Sequence, residues 1–309
     1  MSNYPYVSIC TATFNRRHFI PLLIRCINSQ LYPLERIEWV VMDDGSDPID
    51  DVLVGVLVNR IKYFYFDKKM SLGRKRNLMH QKCSGDIIIY MDDDDYYPPS
   101  RVSHAVETLV ANPHNLIAGC SEMHMYHKNI PNAIYKCGPY GRYHSTAATF
   151  AFKRELLETS KYDDGENFTE EPHFLKNYTI PLVQLDTLKT ILVMGHEQNT
   201  LDKECLIKKQ REHGITLTPL SIEFFIKDKD LMNEYIMVHD KLKDYGFGEV
   251  GNKPDVVQGL KNRNNEIYIR TLIEKNEEFK KKIKSCEKLM EEQTLVIHQQ
   301  SSEIRRLKK

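Results

Sequence analysis

The stretch Ile87-Ile88-Ile89-Tyr90-Met91-Asp92-Asp93-Asp94-Asp95 is the most informative part of this 309-residue chain. Its apolar half is rich in β-branched residues and predicts a buried strand. Four like charges follow directly, and they cannot all be buried together unless a cation or hydrogen-bond donors offset them. Hard oxygen ligands select Mg²⁺, Mn²⁺ or Ca²⁺ over zinc, and alternate carboxylates after a strand can point the same way. We therefore expect a strand that brings carboxylates to a metal ion.

The residues before this stretch alternate between strand-like and helix-like patterns. Short apolar runs at residues 7–10, 39–42 and 61–66 read as strands, and helical patterns lie between them. The helical patterns begin near Pro21 and cover residues 52–58 and 73–83. This alternation predicts an α/β fold with a mainly parallel sheet and helices on both faces.

Polar clusters follow three of the predicted strands. They occupy residues 11–16, Asp43-Asp44 and residues 92–95. Ligands of open parallel sheets bind outside the carboxyl ends of the strands, so the three clusters should meet in one crevice. A solvated acidic turn and a phosphatase-like Asp-x-Asp nucleophile are alternatives for residues 92–95. The Gly and Glu that a Ca²⁺ loop needs at fixed offsets are not found there.

Composition excludes several classes of protein. Lys and Arg number 43, as do Asp and Glu, so no net charge favours nucleic acid as a partner. The mean hydropathy is −0.49, and no apolar run is long enough to form a transmembrane segment. The N-terminus lacks a leader pattern, so we expect a soluble, cytoplasmic protein. The seven cysteines are scattered without a Cys-x-x-Cys pair, which argues against zinc and a disulfide framework.

The C-terminal part has a different pattern. After Gly259 there is neither Gly nor Pro, and apolar or neutral residues recur at alternating spacings of three and four. These a and d positions of a coiled coil are Ile269, Leu272, Asn276, Phe279, Ile283, Cys286, Met290, Gln293, Ile297, Gln300, Ile304 and Leu307. We expect a parallel, self-associating coiled coil, because Asn276 can then meet its own copy across the seam. Because Gln293 and Gln300 occupy d positions, the pattern is compatible with a dimer, a trimer or a tetramer. A single helix packed on its own domain is the alternative.

The predicted organisation has three parts. Residues 1–200 form the α/β domain, residues 201–259 a helical extension and residues 260–309 the oligomerisation helix.

The order of the motifs resembles the family 2 glycosyltransferases, inverting enzymes with the nucleotide-diphospho-sugar transferase (GT-A) fold. The resemblance covers about residues 5–200 and is carried by residues 7–16, 29–32, 38–46, 73–77 and 92–95. It implies a metal-dependent transfer of a sugar from a nucleotide-diphospho-sugar donor to the hydroxyl of a glycan or another acceptor. UDP-sugars are favoured because they are frequent in that family. Ala12 stands where a Pro is common and Phe14 where a Tyr is common.

The resemblance also implies contacts with the donor. Thr11, Ala12 and Phe14 would line the base pocket with Arg16 beside them, and Asp43 or Asp44 would accept a hydrogen bond from the base or ribose. The donor-binding set is completed by Arg74, Arg76, Asn77, Asp92 and Asp93. The first three of these open a helix, where cations and backbone N–H groups favour an anion. A solvated basic helix face is the alternative for Arg74 and for Lys75.

The metal and the base are implied in the same way. Asp94 would bind Mn²⁺ (or Mg²⁺) bridging the two phosphates, and His196 is a second candidate ligand, with a structural role as the alternative. The family takes its general base from an acidic pair, which matches Thr169-Glu170-Glu171 with Glu171 in the place of an Asp. A neighbouring acid, Glu170, Asp163 or Asp164, is the alternative base.

Two other functions compete with glycosyl transfer. One is a catalytically degenerate scaffold that only binds nucleotide or glycan and works through its coiled coil. The other is a nucleotidyltransferase of related fold, which would need a Gly-rich phosphate loop where this chain has residues 11–16.

Overall fold

The computed structural model describes residues 4–130, 133–167, 170–196, 199, 203–208, 214–242 and 254–307. The chain divides into two compact units, residues 1–256 and residues 257–309. The predicted boundary at residue 259 lies close to this division, and the one at residue 200 lies within the larger unit.

Strands in the described part of the chain build two sheets. In chain order they are β1 (Val7–Thr13), β2 (Ile37–Asp43), β3 (Arg60–Tyr65), β4 (Ile87–Tyr90), β5 (Ile117–Gly119), β6 (Met123–His127), β7 (Ile134–Cys137), β8 (Ala151–Lys153), β9 (Leu182–Gln184), β10 (Leu192–Gly195) and β11 (Ile215–Thr218). The larger sheet has the order β3-β2-β1-β4-β8-β5-β9, and the smaller one has the order β10-β6-β7-β11.

The first four strands are parallel neighbours, as the alternating pattern predicts. Strand β8 runs antiparallel to both β4 and β5, so the sheet is mixed. An antiparallel neighbour needs no crossover helix, and β8 is only three residues long, too short to show a period in the sequence. The smaller sheet is also mixed, because β6 pairs parallel with β10 and antiparallel with β7.

Helices cover both faces of the larger sheet. The helices are α1 (Ile20–Asn28), α2 (Leu72–Lys82), α3 (Arg101–Ala111), α4 (Glu171–Phe174), α5 (Lys203–Lys208), α6 (Ile222–Phe225), α7 (Lys229–Leu242) and α8 (Pro254–Leu307). Leu23 of α1 and Val102 of α3 belong to one buried cluster, and Met79 of α2 belongs to the other. The predicted placement of helices on both faces is confirmed.

Alternation along β1 separates the two clusters. Ile9 packs with Trp39 and Val41 on one face, whereas Cys10 packs with Val40 and Met42 on the other. Both faces are apolar because both are covered, and for this reason the strands read as continuous apolar runs.

Two predicted elements differ from the structure. The helix predicted over residues 52–58 is a short 3-10 helix, Asp50–Val52, followed by turns and bends. Gly55 has a φ of 77°, which an α-helix does not allow. The extension over residues 201–259 is not wholly helical either, since β11 pairs antiparallel with β7.

The last helix, α8, exposes its apolar residues. Phe279, Ile283 and Met290 are 62%, 57% and 67% exposed. These side chains are therefore not buried by any described residue of this unit.

No helix among the described residues is both long and apolar enough to cross a bilayer.

Candidate active site

The loops after β1 and β2 touch each other at the carboxyl edge of the larger sheet. Asn15 has a φ of 54°, and its Oδ1 accepts a hydrogen bond of 2.8 Å from the backbone N–H of Ser46. A Cβ on Gly45 would lie 2.6 Å from the backbone nitrogen of Asn15, so glycine is needed for this approach. This contact joins the first of the three polar clusters to the loop that follows the second.

Asp94 lies at the centre of a polar contact between three parts of the chain. Its Oδ2 accepts hydrogen bonds from Arg16 Nη1 at 2.9 Å and from Asn199 Nδ2 at 3.1 Å. The Nε2 of His196, which follows β10, lies 3.0 Å from the same oxygen. Burial raises the pKa of Asp94, but the charge of Arg16 and the contact with His196 outweigh it and hold that pKa well below its usual range. Asp94 is therefore a carboxylate.

His196 is neutral in this arrangement. Its ring stacks on Phe19 with the centroids 4.9 Å apart, and its backbone N–H donates to Asn199 Oδ1 at 2.7 Å. Burial lowers the pKa of His196 to about 3, although Asp94 opposes this shift. The imidazole thus has a lone pair available as a ligand.

The other three aspartates of the run have different surroundings. Asp92 Oδ1 lies 3.7 Å from Arg76 Nη2, and burial raises the pKa of Asp92. Asp93 is buried, which raises its pKa to about 7. Asp95 accepts a hydrogen bond of 2.8 Å from the backbone N–H of Met194, and burial raises its pKa to about 8. Burial thus alternates along the run, and Asp95 serves to join this run to β10.

Asp43 and Asp44 are both occupied by contacts within the chain. Asp43 accepts hydrogen bonds from the backbone N–H of Gly45 at 2.9 Å and from the hydroxyl of Tyr63 at 2.9 Å. Asp44 accepts one from the backbone N–H of Met70 at 2.6 Å and forms a buried ion pair with Lys75. Burial lowers the pKa of Lys75, although Asp44 opposes this. Both carboxylates hold the loops at the carboxyl edge of the sheet.

The predicted base-pocket residues divide into two groups. The hydroxyl of Thr11 is buried, donates to the carbonyl of Met91 at 2.7 Å and accepts from Trp39 Nε1 at 2.9 Å. This hydroxyl therefore joins β1 to its two neighbours within the sheet. Ala12 and Phe14 are only half-buried, and the Lys69 ammonium lies 4.9 Å from the centre of the Phe14 ring.

Helix α2 presents its predicted anion-binding residues in three different ways. Arg74 is exposed. Arg76 is buried, donates from Nε to Glu170 Oε1 at 2.8 Å and lies over the Tyr90 ring at 4.4 Å. Asn77 is paired with the backbone N–H and carbonyl of Tyr162, at 2.9 Å each.

The glycine that precedes these residues has a packing role. The backbone N–H of Gly73 donates to the carbonyl of Glu166 at 2.9 Å, and a Cβ on Gly73 would collide with the carbonyl oxygen of Asp163. Close approach of the segment before α4 to α2 therefore requires glycine at this position.

The acidic candidates for a general base are not equivalent. Glu170 is buried in its ion pair with Arg76, and burial raises its pKa although Arg76 opposes this. Glu171, the first residue of α4, is half-buried and accepts a hydrogen bond of 3.0 Å from the backbone N–H of Ala147. Asp163 accepts one from the backbone N–H of Gly165 at 2.7 Å, and Asp164 one from Asn77 at 2.7 Å. Thr169, the first residue of the matched Thr169-Glu170-Glu171 segment, lies outside the described residues.

The residues present fit a divalent cation that takes part of its coordination from a ligand. Asp94 Oδ2 and His196 Nε2 lie 3.0 Å apart, and Arg16 Nη1 lies 2.9 Å from the first and 3.3 Å from the second. Within the described residues no group of three or more His, Cys, Asp and Glu side chains is arranged to hold a metal. Mg²⁺ sites are commonly of this kind, with one or two protein ligands and the remainder from phosphates and water.

Comparison with known proteins finds a family match in the first half of the chain. Residues 8–158 match the model of glycosyl transferase family 2. This range lies within residues 5–200, over which the motifs resemble that family, and it includes Arg16, Lys75 and the aspartate run. The match supports a glycosyltransferase of this family.

Two curated proteins are similar to part of this chain. An uncharacterized glycosyltransferase of Haemophilus influenzae is 25% identical over 114 residues, which are 36% of this chain and 44% of that protein. The undecaprenyl-phosphate 4-deoxy-4-formamido-L-arabinose transferase of Pseudomonas syringae pv. syringae is 30% identical over 124 residues, 35% of this chain and 34% of that protein. The chain thus spans less than half the length of these relatives.

A solved structure has a similar fold. The mannosyltransferase of Pyrobaculum calidifontis in complex with GDP-Man and Mn²⁺ matches with a TM-score of 0.50 and 16% identity, over 77% of this chain and 71% of that one.

Sequence reasoning missed two participants. Asn199 contacts both Asp94 and His196, and Lys75 pairs with Asp44. A lysine among polar residues of a helix is expected to be exposed. Only its position near the start of α2, together with the acidic residues at the end of β2, could have indicated the pairing.

We expect Lys75→Met to destabilise the larger unit strongly, because the buried Asp44 carboxylate would lose its counter-charge. Removal of one partner of a buried ion pair costs about 3–5 kcal/mol. Arg74→Met, an exposed neighbour on the same helix, is the matched control and should change the free energy of unfolding by less than about 0.5 kcal/mol. Chemical denaturation measures both, and equal stabilities would show that Lys75 and Asp44 do not form this pair.

Proposed function

We propose that this protein is an inverting glycosyltransferase that moves a sugar from a nucleotide-diphospho-sugar, preferably a UDP-sugar, to an acceptor hydroxyl. The contact of Asp94 with Arg16 and His196 carries the proposal, because it brings a carboxylate, a cation and a neutral imidazole to the carboxyl edge of a family 2 domain. A diphosphate needs such a combination of a metal ligand and a fixed positive charge.

Each part of the edge has a place in donor binding. Ala12 and Phe14 are accessible for a base, while Thr11, Asp43 and Asp44 hold the loops that would shape its pocket. Asp92 and Asp93 are proposed to contact the ribose. The residues of α2 are proposed to supply positive charge and to hold that helix beside the donor; they are Arg74, Arg76 and Asn77.

Asp94 and His196 would hold the divalent metal, with Mn²⁺ or Mg²⁺ as the candidates. When bound, the metal would supply Lewis-acid stabilisation to the negative charge of the leaving nucleoside diphosphate. Arg16 contacts both residues. It would either move to the phosphates or contact the phosphates and Asp94 together.

Glu171 is the proposed general base. It is half-buried at the start of α4, whereas Glu170 is engaged by Arg76, so Glu171 is the more accessible of the pair. It would take the proton of the acceptor hydroxyl as that oxygen attacks the anomeric carbon from the face opposite to the leaving group.

The exposed apolar residues of α8 support self-association. A long helix with such a stripe is unstable alone in water, and burial in a parallel coiled coil would cover Phe279, Ile283 and Met290. The degenerate-scaffold alternative predicts the same association without turnover.

We expect UDP to bind in the presence of Mn²⁺ and Asp94→Asn to weaken that binding by about tenfold or more, the worth of one charged contact. Calorimetry with UDP and with GDP, each with Mn²⁺ or EDTA, measures the effect and tests the preferred nucleotide. Asp230→Asn, an exposed site on α7, is the control. Binding that is independent of metal, or equal in the two variants, contradicts the proposed site.

Glu171→Gln should leave UDP affinity nearly unchanged while lowering transfer by about 10²-fold or more. The assay is nucleoside diphosphate release from a panel of donors with a panel of glycoside acceptors. Glu170→Gln is the matched comparison. It should chiefly lower thermal stability, because it leaves Arg76 buried beside a neutral amide. Unchanged turnover in Glu171→Gln would transfer the role of base to another acid.

Ile283→Asp, at an a position of α8, should convert the oligomer to a monomer, whereas Lys281→Ala on the outer face should not. Light scattering at micromolar concentration measures both. Parallel order is tested by Leu272→Cys in a Cys286→Ser background, since copies of residue 272 can be cross-linked only when the helices run parallel. A monomeric wild type, or no cross-link in a proven oligomer, contradicts the corresponding part of the proposal.

A further inference from the structure

Two segments of the larger unit, residues 138–147 and residues 171–178, meet twice. The first contact is the hydrogen bond of 3.0 Å from the backbone N–H of Ala147 to Glu171 Oε1. The second is a ring contact between His144 and Tyr178, whose centroids are 5.0 Å apart with planes inclined by 26°. Both contacts join the same two segments, so the ring pair and the proposed general base belong to one contact between those segments.

The rings form a short aromatic stack. Tyr140 contacts the same histidine, with its ring centroid 5.0 Å from that of His144 and the two planes inclined by 60°. Tyr140 is 50% exposed, and His144 and Tyr178 are half-buried. We refer to Tyr140, His144 and Tyr178 as the aromatic stack.

The loop that carries Tyr140 and His144 is fixed by side chains of the sheet. Ser121 Oγ accepts hydrogen bonds from the backbone N–H groups of Tyr140 at 2.8 Å and Gly141 at 3.0 Å. Gln184 Nε2 donates to the carbonyls of Arg142 at 2.9 Å and His144 at 3.0 Å. A loop held by four such bonds presents its rings in a defined position.

The segment that carries Tyr178 is held in an uncommon conformation. Lys176, Asn177 and Tyr178 have φ values of 49°, 56° and 60°, although none is glycine. Consecutive left-handed residues are disfavoured, and such strain persists where the surrounding structure enforces it, often at functional sites. Here the conformation turns the chain after α4 and brings Tyr178 against His144.

We propose that the aromatic stack is the acceptor subsite and that it binds the apolar face of a sugar ring in the acceptor. The C–H groups on one face of a pyranose carry partial positive charge and pack on the negative face of an aromatic ring. A ring seated there would bring one of its hydroxyl groups towards Glu171. The acceptor is therefore a glycan or glycoside, an assignment that rests on the proposed function.

Saturation-transfer NMR on the full chain with methyl glycosides tests this subsite. The probes are methyl β-D-glucopyranoside, methyl β-D-galactopyranoside, methyl α-D-mannopyranoside and the methyl β-glycoside of N-acetylglucosamine, with sorbitol as a polyol that has no ring. At least one glycoside should receive saturation from tyrosine resonances, chiefly at the hydrogens of one ring face, and sorbitol should not.

Variants of the aromatic stack separate ring contact from general effects. Tyr140→Ala should weaken the apparent affinity for that glycoside by about 2- to 10-fold, and Tyr140→Phe should retain it because the ring remains. Tyr178→Ala should have the same effect as Tyr140→Ala. If the strained turn does not tolerate Tyr178→Ala, Tyr140→Ala alone is the test. Tyr4→Ala, whose ring packs on Tyr32 beside the start of β1, is the matched control and should have no effect.

UDP titration of the same samples distinguishes the two proposals. Bound UDP without saturation of any glycoside, or glycoside binding that is equal in Tyr140→Ala and Tyr4→Ala, overturns the acceptor subsite and leaves donor binding standing. Glycoside binding that depends on Tyr140, without any binding of UDP, supports the stack and overturns the transferase proposal.

Discussion

The carboxylate of Asp94 unites three parts of the chain that the sequence separates widely. Arg16 comes from the loop after β1, Asp94 from the run after β4, and His196 from the residue after β10 in the smaller sheet. Its negative charge offsets the positive charge that Arg16 places against the buried imidazole of His196. The relative position of the two sheets at this edge depends on the same residue run, because Asp95 accepts a hydrogen bond from the backbone of Met194. Structure and proposed chemistry therefore depend on adjacent carboxyl groups of one short run.

Helix α2 supports this edge through two buried ion pairs that point in different directions. Lys75 reaches Asp44 and the carbonyl of Thr13 at the ends of β2 and β1, whereas Arg76 reaches Glu170 just before α4. Buried ion pairs add little net stability, because desolvation offsets much of their attraction. Their effect here is geometric: one helix fixes the distance between the strand ends proposed for the donor and the acidic pair proposed for catalysis.

The sequence allowed prediction of those features that follow from local patterns and general rules. The parallel order of β1, β2 and β4 follows from alternating strands and helices, and the meeting of Arg16 with Asp94 follows from that order. Short strands such as β8 and β11 carry too few residues for a period to be seen, so the mixed character of both sheets could not be predicted. The pairing of Lys75 could not be predicted either, because burial of a lysine depends on tertiary contacts. The conformation of Gly55 could not be predicted for a similar reason. Its positive φ interrupts a segment whose sequence pattern predicts a helix.

The two groups of proposed site residues are built from different interactions, and the difference agrees with what each would bind. On the side of Asp94 and Arg16, the contacts are ionic, which suits a doubly charged diphosphate whose charge increases as it leaves. The aromatic stack proposed for the acceptor lies partly on a loop that is held by neutral hydrogen bonds, in which Ser121 Oγ accepts and Gln184 Nε2 donates. A neutral hydroxyl acceptor gains nothing from a fixed charge, but it must be oriented to within a fraction of an ångström for attack. Rigid rings supply that orientation at small entropic cost, so a stack held in place from both segments is the kind of surface that this half of the reaction needs.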